Sequence, residues 1–226
     1  MLDLNPYLRK NIGRMINVHT FTFNPFQENT YVVYNDTGAC MIVDPGCFSQ
    51  SEEHTLQQFI QRKKLRVEKV LCTHCHIDHV FGLDFVSRTY GISPLIPKDE
   101  MAVLESVGRV AEMYGLDYNG SPEVAYLSGS SIDLSGELFE ILSVPGHSPG
   151  HVAFYHSDSG TLLAGDVLFY RSIGRTDLPG GDHATLLRSI REVLYPLDDA
   201  TKVYPGHMEQ TSIGDEKRFN PFLQEL

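Results

Sequence analysis

Val70-Leu71-Cys72-Thr73-His74-Cys75-His76-Ile77-Asp78-His79 is the stretch on which the reading of this chain turns. Six of its residues, His74 to His79, hold three imidazoles and a carboxylate, just after the apolar run Val70-Leu71, which reads as the end of a buried strand. Ordinary loop packing gives little reason to gather those groups. Imidazole and carboxylate together suit divalent zinc, iron or manganese, and a short loop leaving a strand can aim alternate side chains at two different points. The stretch reads as half of a two-metal site.

One cluster does not close two coordination spheres, so further ligands are expected where other strands run out into turns. Three positions fit. His147 follows Leu142-Ser143-Val144-Pro145-Gly146, Asp166 follows Thr161-Leu162-Leu163-Ala164-Gly165, and His207 follows Lys202-Val203-Tyr204-Pro205-Gly206. Each has the form apolar strand, glycine, ligand, and the glycine lets the backbone turn sharply and come close to an ion.

The order His-x-His-x-Asp-His, then His, then Asp, then His resembles that of the metallo-β-lactamase fold superfamily, and within it the short glyoxalase II-like (hydroxyacylglutathione hydrolase-like) metallohydrolases. The resemblance spans nearly the whole chain. It implies an α/β fold, an αββα sandwich with a dinuclear metal site at the edge of the sheets. His74, His76 and His147 would hold one metal, Asp78, His79 and His207 the other, and Asp166 would bridge them. Two divalent ions are implied; zinc is the default for a His-rich site, and the carboxylates also admit iron or manganese. The implied reaction is hydrolysis of a thioester such as S-D-lactoylglutathione. Its nucleophile would be a water shared by the metals, with a pKa lowered from about 15.7 towards about 7. Asp78 would orient that nucleophile or move a proton.

The resemblance also has departures. Full-length glyoxalase II carries a helical C-terminal domain with cationic contacts to glutathione, whereas this chain ends shortly after His207. Two tyrosines that contact glutathione in that family are replaced, by count, with Asp177 and Glu209. The loop after Asp166 holds Tyr170, Arg171 and Arg175 as candidate substrate contacts. Arg175 takes the place of the family's basic residue and offers a bidentate fork to a carboxylate, or else forms a salt bridge with Asp177. Persulfide dioxygenases share the fold and most of these ligands but use one iron and O2. They typically differ where Gly150-His151 stands, which favours hydrolysis here. Hydrolysis of lactones or other esters is a further alternative, and a non-enzymatic metal-binding protein would be expected to have lost ligands.

The rest of the chain bounds these expectations. Its 226 residues, 42% hydrophobic, suffice for one core, and a single domain spanning 1–226 is expected. With 18 basic against 29 acidic residues the formal charge is −11, which disfavours nucleic acid and anionic lipid as partners. A small acyl-thiol substrate is the expected partner. Met1 to Pro6 contains no signal-type apolar run, and no stretch approaches the roughly 18 apolar residues of a membrane span. Cys40, Cys47, Cys72 and Cys75 lack the spacing of a disulfide framework, so a cytoplasmic protein is expected.

Strands are expected over 15–23, 31–34 and 39–43, with a turn at 24–29. Asp44 ends the third, either as a carboxylate supporting a metal ligand or as a turn residue before Pro45. Ser49 to Glu52 matches a capping box that opens a helix with Leu56, Phe59 and Ile60 on one face. Val80 to Gly91 reads as a helix whose N-terminal dipole faces the site. A helical insertion at about 97–128 either covers a substrate cleft or packs as an amphipathic core helix. Strands are expected from Leu138 to Val144 and Val152 to Tyr155, and His151 between them reads as a supporting residue. Asp182 caps a last helix.

Overall fold

The alternation of buried residues along the strands sets the layering. Tyr31 and Val33 point to one side of their strand and Val32 to the other, as do Met41 and Val43 against Ile42. A strand apolar on both faces must be covered on both. The computed structural model, which describes residues 16–224, shows how this is done.

A first six-stranded sheet is formed by β1 (Ile16–Phe23), β2 (Glu28–Asn35), β3 (Ala39–Val43), β4 (Arg66–Leu71), β5 (Leu95–Ile96) and β6 (Ala125–Tyr126), in that spatial order. The first three are antiparallel; from β3 onward neighbours are parallel, and parallel pairing needs crossovers. Helices supply them: α1 (Gln50–Lys63), the single turn α2 (Ile77–Val80), α3 (Leu83–Tyr90) and α4 (Met101–Tyr114). The capping box opening α1 is formed, with Glu52 N–H donating to Ser49 Oγ and Ser49 N–H donating to the Glu52 carboxylate.

The second half contains β7 (Ser131–Leu134), β8 (Glu137–Ser143), β9 (Val152–His156), β10 (Thr161–Gly165), a small hairpin of β11 (Leu168–Phe169) and β12 (Ser172–Ile173), then β13 (Lys202–Pro205) and β14 (Thr211–Ser212). Apart from the hairpin they form a second six-stranded sheet in the order β14-β13-β10-β9-β8-β7. Helix α5 (His183–Ser189), capped by Asp182 and continued by a wider π-helical turn over Ile190–Leu194, covers its outer face with α6 (Ile213–Phe219). Between the sheets Met41, Val43 and Leu71 meet Phe139, Phe154 and Leu163. This is the αββα sandwich. Burial of these side chains contributes about 1.5–3 kcal/mol each before conformational entropy is counted.

Three expectations change. The turn after β1 covers Asn24 to Gln27 only, because Glu28 and Asn29 already pair with Phe23 and Thr22 as part of β2. The helix expected from Val80 to Gly91 is broken at Gly82, whose N–H donates to Pro45 O at 2.8 Å. A Cβ at Gly82 would lie 2.3 Å from Cys47 Sγ, so the chain can dock there only without a side chain. The turn facing the site is therefore α2, four residues long and too short for a macrodipole. The helical segment expected at 97–128 is the crossover from β5 to β6. Its α4 buries Leu104, Val107 and Ala111, and its other face lines the cleft described below.

All four cysteines are reduced and buried. Among the described residues no helix is long and apolar enough to cross a membrane. Met15 and the Met1 to Pro6 segment lie outside the described residues.

Candidate metal centre

Every ligand-bearing loop leaves the same edge of the sandwich, where the strands of both sheets end. β4 runs into His74, His76, Asp78 and His79; β8 into His147; β10 into Asp166; β13 into His207. The glycines before the last two are required by crowding. A Cβ on Gly206 would lie 2.0 Å from Asp166 Oδ1 and 2.7 Å from His79 Cε1. Gly165 has a φ of +51°, and a Cβ there would lie 2.5 Å from Thr73 Oγ1.

The seven side chains converge. His74, His76 and His147 form one group whose ligand atoms lie within 4.8 Å of one another, and Asp78, His79 and His207 form a second. Asp166 stands between them: Oδ1 is 3.4 Å from His79 Nε2, while Oδ2 is 3.4 Å from His147 Nε2 and 3.5 Å from His207 Nε2. Asp78 Oδ2 is 3.1 Å from His207 Nε2.

Four of the histidines are held with one nitrogen turned outward. His147 Nδ1–H donates to Arg175 O at 2.8 Å, His207 Nδ1–H to Gln27 O at 3.2 Å, and His79 Nδ1–H to Asp44 Oδ2 at 3.2 Å. Thr73 Oγ1 donates to Asp44 Oδ2 at 2.7 Å, so its lone pairs accept His74 Nδ1–H at 3.0 Å. Each therefore presents Nε2 to the centre, the oriented tautomer a metal ligand needs. His76 presents Nδ1, 2.8 Å from His147 Nε2.

Charge and burial suit a cation. His74 Nε2, His79 Nε2 and Asp166 Oδ1 are buried without a hydrogen-bond partner, which proteins tolerate only where something else satisfies them. Burial and the neighbouring imidazoles hold His74 well below the ordinary histidine range; burial and then His147 bring His76 down to about 4. Burial would raise Asp166 and Asp78, but His79 and the other facing imidazoles overcome it, and both carboxyls stay ionised. Burial opposes the charge on His79, yet Asp166 and Asp78 raise it well above the usual value; His207 is likewise raised by its bond to Asp78. Without an ion, protons on His79 and His207 balance the two carboxylates. The residues present fit two divalent cations.

Supporting residues complete the centre: Asp44 and His151, which the sequence offered for that part, and Glu100 and Glu28, which no local pattern reveals. Asp44 holds Thr73 through its N–H (2.7 Å) and hydroxyl besides orienting His79, so of its two readings the supporting carboxylate is the one seen. Fully buried Glu100 accepts Cys75 N–H at 2.9 Å and Gly150 N–H at 2.7 Å, joining the His74/His76 loop to the His147 loop. Buried Glu28 lies 3.9 Å from His79 Nδ1. His151 Nε2 accepts Asp166 N–H at 3.0 Å. The sequence offered no signal for Glu28, which fell in the turn expected at 24–29 and proves fully buried in β2.

Above the centre lies a cleft of about 1000 Å3, with His76, Asp78, His147, Asp166 and His207 at its floor. Arg175 lines it but is bidentate to Asp177, at 2.7 and 2.6 Å, the salt-bridge alternative for this residue. Tyr170 and Arg171 do not line it, a correction to their expected role. Left-handed backbone at Arg171 (φ +54°) turns its side chain to buried Glu216, 3.1 Å away, and stacks it on Tyr170 and Phe219. Glu209 borders a separate surface depression.

Comparison with known proteins agrees with this geometry. Hydroxyacylglutathione hydrolase GloC of Haemophilus influenzae is 36% identical over 217 residues, covering 92% of this chain and 98% of that one. The crystal structure of BLEG-1 B3 metallo-beta-lactamase superposes with a TM-score of 0.84 at 35% identity, covering 92% of this chain and 99% of that one. TTHA1623, crystallised in a di-iron-bound form, superposes with a TM-score of 0.82 at 35% identity, covering 91% and 100%. Residues 23–207 match the family described as Metallo-beta-lactamase superfamily. With its fold, its His/Asp cluster and these relatives in agreement, the chain belongs to the metallo-beta-lactamase superfamily, a membership that supports hydrolase activity.

Proposed function

We propose that the protein is a hydrolase of acyl thioesters that uses two divalent metal ions, zinc by default and iron as the main alternative. The observation that carries this reading is the pair of three-residue groups on either side of Asp166 at the floor of one cleft. The relative named hydroxyacylglutathione hydrolase supports the thioester class, and the di-iron-bound neighbour supports two metals with identity open to iron. His74, His76 and His147 would hold one ion, Asp78, His79 and His207 the other, and Asp166 both.

Bound there, the ions supply Lewis acidity and an activated water. The chain supplies the rest. Asp78, ionised and facing the cleft, accepts a proton from the attacking water, and the acyl carbon receives its oxygen. The carbon–sulfur bond breaks, the leaving thiolate takes up the proton that Asp78 accepted, and the products are a carboxylic acid and a thiol. Arg175 O and Asp44 hold the histidines through the cycle by their Nδ1–H bonds.

The test is metal content of anaerobically purified protein, with S-D-lactoylglutathione hydrolysis, glutathione-persulfide O2 consumption and β-lactam hydrolysis on the same sample. About two metals per chain with thioester cleavage is expected. About one iron with O2 uptake, or β-lactam cleavage without thioester cleavage, would overturn the proposal.

A further inference from the structure

The cleft is uneven in its chemistry. Its floor is polar, but α4 builds one wall with Val103, Val110, Met113 and Tyr114, and Leu178 and Pro179 stand among the apolar lining contributed by the loop after Asp166. Met113 is 79% exposed and Tyr114 56%, although both are large and apolar. Contiguous apolar surface beside a reactive centre marks a binding surface, since water covers it poorly.

Among the described residues, permanent positive charge reaches the lining at Arg109 and Arg175 only. Arg175 already has both arms of its fork on Asp177. Arg109 lies on the exposed side of α4 and makes no ion pair with a described residue. A glutathione arm carries two carboxylates and an ammonium group, and the described walls offer no matching set of charges. One free guanidinium beside an apolar wall matches a simpler arm.

Resting on the thioester reading above, we infer that the arm this cleft accommodates is apolar, several methylenes long, and bears a single carboxylate that reaches Arg109. The methylenes would lie along Val110 and Met113, removing apolar surface from water on both partners. The carboxylate would gain a charge-assisted hydrogen bond at the cleft mouth.

Binding and turnover are tested separately. Metal-loaded protein is titrated calorimetrically with three thioethers that share an S-propyl group: 6-(propylthio)hexanoate, its methyl ester and S-propylglutathione. The hexanoate is expected to bind about tenfold or more tightly than S-propylglutathione and several-fold more tightly than its ester. Met113→Glu, at a position too exposed to burden folding, and Val110→Asp should each erase the first preference. Arg109→Gln should erase the second. S-propylglutathione binding as tightly as the hexanoate, no measurable hexanoate binding, or preferences unchanged in these variants would overturn the inference. D-lactoyl thioesters of 6-mercaptohexanoate and of glutathione are assayed in parallel. If neither is cleaved with two metals bound, the thioester reading fails, while the order of thioether affinities still decides which arm the cleft accepts.

Discussion

Replacing Glu100 tests whether the two ligand loops are held from behind. Its carboxylate is fully buried and accepts two backbone N–H groups, from Cys75 between two ligands and from Gly150 three residues after His147. Glu100→Ala leaves the Cys75 N–H buried and unpaired and the Gly150 N–H part-buried and unpaired, at about 1–3 kcal/mol each, offset by no longer burying a carboxylate. A net loss of about 3 kcal/mol is expected. For a chain of this size that lowers Tm by about 6–12 °C. Glu100→Gln keeps one acceptor but turns an amide N–H2 towards the other donor, so its loss should be about half as large. The specific consequence lies in the metal. Both loops serve the His74/His76/His147 group, so one of two ions should bind about 10–100-fold more weakly in either variant while the other is retained. Thermal unfolding of metal-free protein and competitive chelator titration, with Co(II) absorption reporting the coordination of each site, measure these effects. Unchanged affinity for both ions together with a Tm within about 1 °C of the parent would refute the reasoning.

Further predictions concern the centre and its surroundings. Gly206→Ala should abolish binding of at least one metal, because its Cβ would fall on Asp166 Oδ1; full occupancy by elemental analysis would contradict this. Metal loading should release protons. His79 and His207 are raised, so at pH 6.5 each is more than half protonated in the metal-free protein, whereas His74 and His76 are neutral. Calorimetry in buffers of different ionisation enthalpy should therefore show about one proton or more released, assigned to the Asp78/His79/His207 group, and a buffer-independent heat would count against it. His76, held down to about 4, destabilises the metal-free fold as pH falls from about 6.5 to about 4, because the unfolded chain takes up a proton the folded one refuses. His79 and His207 act in the opposite sense, their contribution being full below about 6.5 and lost as pH rises through their folded pKa values. His76→Gln should therefore flatten the acid side of the metal-free stability profile, and an unchanged slope there would refute the assignment. Arg171→Gln should leave kcat/KM unchanged while costing about 1–2 kcal/mol, since buried Glu216 loses a cationic partner but keeps Thr211 and Asn220; a large loss of turnover would restore Arg171 to the substrate side.

The sequence by itself determined the ligand-bearing loops, because each is a local pattern: an apolar strand, a glycine where the backbone must come close, then imidazole or carboxylate. The αββα layer order came from the family resemblance that those loops carry, and not from the strand pattern. Tertiary structure decided what joins residues far apart in the chain. Asp44 reaches Thr73 across 29 positions, and Glu100 reaches Cys75 across 25 and Gly150 across 50. Periodicity reports which side of one element a residue occupies, not which other element it meets. The same limit explains Arg171, whose place in the loop suggested substrate but whose left-handed backbone turns it to Glu216. It also explains α4, whose apolar positions look alike in sequence, although Leu104 and Ala111 are core while Val103, Val110, Met113 and Tyr114 face an open cleft beside the metal centre. Only the packing of the β5–β6 crossover against the ligand loops separates the two.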